Sequence, residues 1–168
     1  MLTFRTERLH LRMFRSADLD AYAAMCADPE VMRYIGEGGA VGRDIAWRQM
    51  ALFLGAWSLR GHGMWAVERR SDGRLIGRVG FLDPEGWPGC ELGWLLARDA
   101  WGQGYAREAA SAAIACGREE LGLVELISLI RPDNAPSIGL ATRLGATLDR
   151  TLDFMGAPTL VYRHAPPR

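Results

Sequence analysis

The residues of this 168-residue chain best suited to chemistry fall in two short stretches, "WGQGYARE" (101–108) and "RPDNAPSIGLATRLGA" (131–146). The first sets Gly102 and Gly104 one residue apart, ahead of an alanine-rich run. Glycine admits a left-handed backbone and keeps side chains away from a closely approaching group. Three readings share that physics: a turn that caps a helix, half of a dinucleotide fingerprint, or a cradle for another phosphate. The fingerprint needs a third glycine where this chain has Arg107, and its strand must open a parallel sheet. Its distal acid, expected about 20 residues on, is available in Glu125. A phosphate cradle needs only the free N–H groups and partial positive charge of a helix N-terminus.

Composition narrows these classes. All twenty basic residues are arginine, balanced by twenty acids. A chain without lysine has no Walker A loop and no Schiff-base or pyridoxal-phosphate chemistry. Zero net charge argues against a nucleic-acid-binding surface, and no apolar run approaches the ~20 residues of a membrane span. "MLTFRTERLH" mixes charge into the start of the chain and does not resemble a signal peptide, so a cytoplasmic protein is expected. Cys26, Cys90 and Cys116 lie far apart without a CxxC pair, and His10, His62 and His164 are equally scattered. That spacing predicts no disulfide framework, no metal and no Cys–His nucleophile. A helix N-terminus holds a pyrophosphate without lysine, and coenzyme A carries one.

The elements that must position these residues read as α+β. "RLHLRMFR" (8–15) alternates as a strand, with His10 on its solvated face. Ser16 reads as an N-cap of a helix to about Ala27, with Asp18 and Asp20 in its first turn. A short helix follows at Pro29, then the break "GEGGAVG" (36–42). Trp47, Met50, Ala51, Leu54 and Trp57 recur at helical spacing, which predicts a core-facing stripe ended by Gly61. "MWAVERR" and "LIGRVGFLD" flank the hairpin signal Asp72-Gly73, and "CELGWLLA" (90–97) adds a third antiparallel strand. A helix from about Tyr105 to Leu121 leads to the apolar strand "VELISLI" (124–130). Asn134 caps the next helix, Gly145 closes it, and two strands near 146–152 and 159–164 precede a frayed tail, "APPR". With no repeat or linker, the chain reads as one domain. Its parts are an N-terminal strand with helices (1–63), a core that holds both chemistry-bearing stretches (64–145) and C-terminal strands (146–168).

"ELGWLLARDAWGQGYAREA", followed by "RPDNAPSIGLATRLGA", resembles the GNAT acyltransferase superfamily. The opening "TERLHLRMFRSADLDAY" is similar to its ribosomal-protein N-terminal acetyltransferase branch, so the likeness covers most of the chain. Of the family's [R/Q]-x-x-G-x-[G/A] motif, Gly104 and Ala106 match and Trp101 departs. Asn134, Ser137, Leu144 and Gly145 match its second block. The resemblance implies a single GNAT-like domain, a mostly antiparallel sheet of about six to seven strands around a strand–helix–strand unit, and helices on both faces. It implies acetyl-CoA as cofactor, its pyrophosphate held by backbone N–H groups along Trp101, Gly102, Gln103, Gly104, Tyr105, Ala106 and Arg107. The strand of Trp94, Leu95 and Leu96 would bulge and splay from its neighbour to take pantetheine, which Asn134 would reach.

Acyl transfer to an amine needs a neutral amine, a stabilised carbonyl oxygen, alignment, and a proton for the leaving thiolate. A backbone N–H near Leu95 or Leu96 is the candidate oxyanion donor. Glu91, polar amid "CELGWLL", is the candidate base, or else a strand-edge glutamate facing solvent. Ser137 is the candidate acid, or else a capping-type serine of a first helical turn. Many relatives carry a tyrosine acid seven residues after the asparagine, where this chain has Ala141. Glu108 reads as a helix-end acid without a catalytic role. Trp65, Trp87, Trp94 and Trp101 are either core anchors or the lining of an acceptor mouth. That mouth should be shaped by the helices of 16–60 and by "DPEGWPG". The expected function is N-acetyl transfer from acetyl-CoA to a protein N-terminus or small amine, the alternative an acyl-CoA-sensing module. A homodimer would form through an exposed edge of the final strand.

Overall fold

The computed structural model describes residues 2–166, so the last two residues of the expected tail lie outside it. Two short strands, β1 (Phe4–Arg5) and β2 (Leu9–Arg12), open the chain. Helices α1 (Leu19–Cys26), α2 (Pro29–Met32) and α3 (Arg43–Arg60) follow. The meander β3 (Met64–Arg69), β4 (Leu75–Leu82) and β5 (Glu91–Leu96) leads to α4 (Tyr105–Glu119) and β6 (Leu126–Ile130). Helix α5 (Ala135–Arg143) and the hairpin of β7 (Ala146–Phe154) and β8 (Ala157–His164) complete the fold. One eight-stranded sheet runs β1-β2-β3-β4-β5-β6-β8-β7. The strand beyond the expected six to seven is β1, two residues long and invisible to periodicity.

Only β5 and β6 pair in parallel; the other adjacent strands are antiparallel. One face of the sheet packs on α4, where Ala109, Ala110 and Ala113 lie against Val79, Phe81 and Leu92. A Cβ at Gly117 would come 2.4 Å from the Phe81 ring, so glycine sets how closely α4 approaches. The other face carries α1–α3, with Phe14, Tyr22 and Phe53 over Met64, Ala66 and Leu95.

Three expectations change here. In α3 the buried face is Ala46, Met50, Phe53 and Trp57, while Trp47 is 57% exposed and Ala51 is exposed. The helix is apolar nearly all round, so spacing alone could not choose the face that β3 and α1 bury. The final strand offers no edge for a homodimer, because β8 is paired with β6 and β7 and the free edge is β7. The Ser16 helix start is also displaced: Ser16–Asp18 is a single tight turn, and Asp18 is buried against Arg12. Arg12 grips the two Asp18 oxygens at 2.7 and 2.8 Å and reaches Glu68 at 2.7 Å. Burial pushes the Asp18 carboxyl up, but the Arg12 bonds outweigh it and hold it below the usual range.

Candidate functional site

Strand β5 is bonded to β4 from Glu91 to Leu96 without a register shift. Strand β6 is bonded along its length to β8. Between β5 and β6 the only register pair is Glu91 with Ile127. Each half keeps its own twist, and the two halves diverge beyond that pair. The expected bulge in β5 is absent, and the divergence alone opens the cleft.

Side-chain bonds hold the root of this cleft. The Ser128 hydroxyl donates to the Leu92 carbonyl at 2.7 Å and lies 2.9 Å from His164 Nε2. With the serine proton on Leu92, His164 donates from Nε2, as either a neutral or a charged imidazole can; burial selects the neutral form. Burial, with the Arg118 charge, pushes His164 down to about 4.

Backbone alternation then assigns the cleft-facing groups. The carbonyls of Cys90 and Leu92 point toward β6, accepting from Ile127 N–H and Ser128. Ala97 N–H points the other way, to Ile76 on β4. By the two-residue period of a strand, the backbone groups of Trp94 and Leu96 face the cleft and those of Leu95 face β4. The Leu96 carbonyl accepts the Trp101 indole N–H at 2.9 Å. The side chains of Leu95 and Leu96 are both core, so only backbone at these positions can serve a ligand.

Past β5 the chain turns through Gly102 and Gly104, both left-handed at φ 71° and 80°. Gly104 is the N-cap of α4 and supplies no side-chain bond to the helix end. The amides of Tyr105, Ala106 and Arg107 precede the first helical bond, Glu108 N–H to Gly104 C=O. Nothing crowds the Gly104 α-carbon except an Arg8 nitrogen, 3.4 Å from where a Cβ would stand. The loop is held from behind. Arg8 donates to the Gln103 carbonyl at 2.9 Å and pairs with Glu108 at 2.6 Å, and its guanidinium lies over the Tyr105 ring. Glu108 also accepts from the Thr6 hydroxyl and the Arg8 N–H, so it ties the loop to β1–β2. The Gln103 side chain turns back to the Asp99 carbonyl, and the Tyr105 ring is buried. An uncapped helix end with two left-handed glycines fits a pyrophosphate held by backbone amides.

A cavity of about 310 Å³ runs through the cleft and onto the α1–α3 face. Glu91, Trp94, Asn134 and Ser137 line it together. The Glu91 carboxylate accepts the Trp87 indole N–H at 2.7 Å. Burial raises its pKa, against the Trp87 bond and the nearby Arg78 charge. Glu91 is therefore an inward-facing carboxylate, not a strand-edge residue in solvent. Asn134 Oδ1 accepts the Ser137 N–H at 3.3 Å as the cap of α5. Ser137 Oγ accepts the Trp94 indole N–H at 3.2 Å, which leaves the hydroxyl proton free to be donated. Of the four tryptophans, Trp87 and Trp94 line the cavity; Trp65 is core and Trp101 lies outside it.

Several cavity residues had no sequence signal. The cavity is walled by Gln49 and Phe53 of α3 and by Trp87, and also by Arg78, Arg131 and the β7–β8 hairpin at Phe154, Met155 and Thr159. Arg131 ties these walls together, donating to the carbonyls of Phe154, Ala157 and Gly36 and to the Thr159 hydroxyl. The fold also gathers His62, Asp83 and Cys90, distant in sequence, with ligand atoms within 4.8 Å of one another. Arg60 lies 3.6 Å from that Asp83, and burial pushes the Cys90 thiol up to about 12. A protonated thiol beside a paired carboxylate is neither a nucleophile nor a ready metal ligand.

Residues 8–147 match the acetyltransferase (GNAT) domain family, which covers the β5–α4 core and the Asn134 helix. The chain belongs to the GNAT acetyltransferase family. It is 33% identical over 147 residues to an uncharacterised N-acetyltransferase, p20, of Bacillus licheniformis, covering 86% of this chain and 82% of that one. An acetyltransferase structure from Agrobacterium tumefaciens str. C58 is 37% identical with a TM-score of 0.87, covering 97% of this chain and 94% of that one. RimL, a ribosomal L7/L12 alpha-N-protein acetyltransferase solved in complex with coenzyme A, shares the fold at a TM-score of 0.80 and 14% identity, with 98% of each chain covered. This GNAT protein is an acetyl-transferring enzyme and uses acetyl-CoA, as its family does. No helix among the described residues is long and apolar enough to cross a membrane.

Proposed function

We propose that the enzyme moves the acetyl group of acetyl-CoA to a primary amine by direct attack in a ternary complex. The observation that carries this reading is the Glu91 carboxylate, held by Trp87 in the cavity that opens where β5 and β6 part. The amine is that of a protein or peptide N-terminus or of a small molecule. Similarity of the opening "TERLHLRMFRSADLDAY" to ribosomal-protein N-terminal acetyltransferases supports the first source, as does the fold shared with RimL.

Bound acetyl-CoA supplies a thioester carbonyl open to attack. The residues that would hold it are the amides of Gln103 to Arg107 on the pyrophosphate and the cleft-facing backbone of Trp94 and Leu96 on the pantetheine, with Asn134 nearby. An amine arrives as an ammonium, and Glu91 takes its proton directly or through one water. Burial raises the Glu91 pKa, which makes it a stronger base than an ordinary surface carboxylate. A backbone N–H facing the cleft donates to the carbonyl oxygen as it gains charge. Alternation moves that donor from Leu95 to Trp94 or Leu96. Ser137, whose oxygen already accepts from Trp94, gives its proton to the leaving sulfur and is restored, through solvent, by the proton that the attacking nitrogen loses as the amide forms.

Free-thiol release with acetyl-CoA and a panel of amines tests the reading. Glu91→Gln should lower kcat by roughly 100-fold and remove the rise of rate with pH that Glu91 deprotonation produces. A Glu91→Gln variant with wild-type rate and pH profile would reduce Glu91 to a structural partner of Trp87.

A further inference from the structure

Arg78 lies on β4, facing α1–α3, and is only 7% exposed. The other deeply buried arginine, Arg12, is neutralised by Asp18 and Glu68. Arg78 forms no ion pair with any carboxylate among the described residues. Its Nε donates to the Tyr22 hydroxyl at 3.1 Å and its Nη1 to the Met64 sulfur at 3.6 Å. Its guanidinium rests over the Phe53 ring at 5.1 Å. Nη2 has no protein partner among the described residues, yet Arg78 lines the cavity that holds Glu91. The Glu91 carboxylate in the same cavity feels this charge without forming an ion pair with it, and a buried cation with no ion pair is costly unless something completes its bonding.

A second donor accompanies it. Tyr22 accepts from Arg78, so its own proton goes to Gln49 Oε1, 2.7 Å away. That bond fixes the orientation of the Gln49 amide, whose nitrogen is left as a donor in a residue that also lines the cavity. The cavity thus presents one acceptor of a proton, Glu91, and two donors without acceptors, Arg78 and Gln49. An amine alone would satisfy the first and leave the other two unpaired.

We propose that the acceptor is an amine that also carries a carboxylate, which Arg78 and Gln49 bind while Glu91 faces the amine. This rests on the acetyl-transfer reading for the amine but not for the carboxylate. A small amino acid and a peptide with an acidic residue near its N-terminus share that chemistry.

Thiol release is measured with glycine, the other α-amino acids and straight-chain ω-amino acids, each against its carboxamide. Peptides with Asp or Asn next to the N-terminus form a second arm. The wild type should prefer the best carboxylate over its amide by on the order of 10- to 100-fold in kcat/KM, and the arm in which this occurs names the source. Arg78→Gln should collapse that ratio toward one through KM for the acid, and Arg78→Lys should recover part of it. Calorimetric coenzyme A binding by each variant checks that the fold survives. Equal use of acids and amides by the wild type would overturn the proposal. So would an Arg78→Gln variant that keeps the ratio but raises KM for acetyl-CoA, because Arg78 would then serve the cofactor. If no amine releases thiol, the transfer reading fails, and calorimetry of N-acetylated amino acids against their amides still decides the carboxylate. Binding of the acid alone supports it; binding of both or neither overturns it.

Discussion

His164 fastens the root of the cleft, and its titration should be visible in the stability of the whole protein. Its folded pKa is pushed from 6.5 down to about 4, first by burial and then by the Arg118 charge. Above pH 6.5 the imidazole is neutral in both folded and unfolded chains and contributes no pH dependence. Below that the unfolded chain takes up a proton that the folded protein refuses, so stability falls as pH falls toward 4. At 1.36 kcal/mol per pKa unit the loss is about 3 kcal/mol, complete below pH ~4. His164→Gln keeps an amide donor for Ser128 Oγ and cannot titrate. Urea unfolding of both proteins at pH 7.5 and pH 4 isolates the effect, because acid titration of the carboxylates is common to both and cancels. The wild type should lose about 3 kcal/mol more than the variant. Parallel losses would refute the neutral state of His164 in the folded protein.

Three further outcomes follow from particular contacts. Gly104→Val puts a β-branched residue at φ 80° and a side chain over the amides of α4. It should weaken coenzyme A binding by at least about 10-fold in calorimetry, with a stability loss of roughly 1–2 kcal/mol; unchanged affinity would remove the loop from the cofactor site. Asp18→Asn leaves Arg12 buried with a neutral partner and should destabilise urea unfolding by about 3–5 kcal/mol. A loss below about 1 kcal/mol would show that Glu68 alone balances Arg12. Ser137→Ala should cut kcat by on the order of 10-fold with coenzyme A affinity retained; an unchanged kcat would leave protonation of the thiol to solvent.

The glycine turn into α4 was legible because its signal is local. Two glycines, a small alanine and a helix start are all visible within six residues, and the Asn134 cap likewise sits beside the serine it binds. The strand that carries Glu91 was legible too, but whether Glu91 faced protein or solvent depended on Trp87 four residues upstream and on a cavity wall supplied by other elements. Arg78 carried no signal at all. In "LIGRVGFLD" it reads as one polar position of a strand, and its burial arises from Tyr22 and Phe53 on helices whose packing the pattern does not encode. His62, Asp83 and Cys90 illustrate the same limit, since Cys90 comes 28 positions after His62 and the β3–β4–β5 meander brings the two together. Strand order failed for a related reason: β8 pairs with both β6 and β7, and alternation along one strand does not say which neighbours flank it.

Acetylation of an amine in the cleft between β5 and β6 can be read from its two products. The most direct measurement incubates the wild-type enzyme with acetyl-CoA and the amine panel, counting free thiol while mass spectrometry identifies the acetylated product. Thiol and N-acetylated product should appear in equal amounts, and both should fall together in Glu91→Gln. Tight coenzyme A binding with no acetylated amine from any substrate would contradict the transfer, and thiol release that Glu91→Gln leaves unchanged would remove Glu91 as its base.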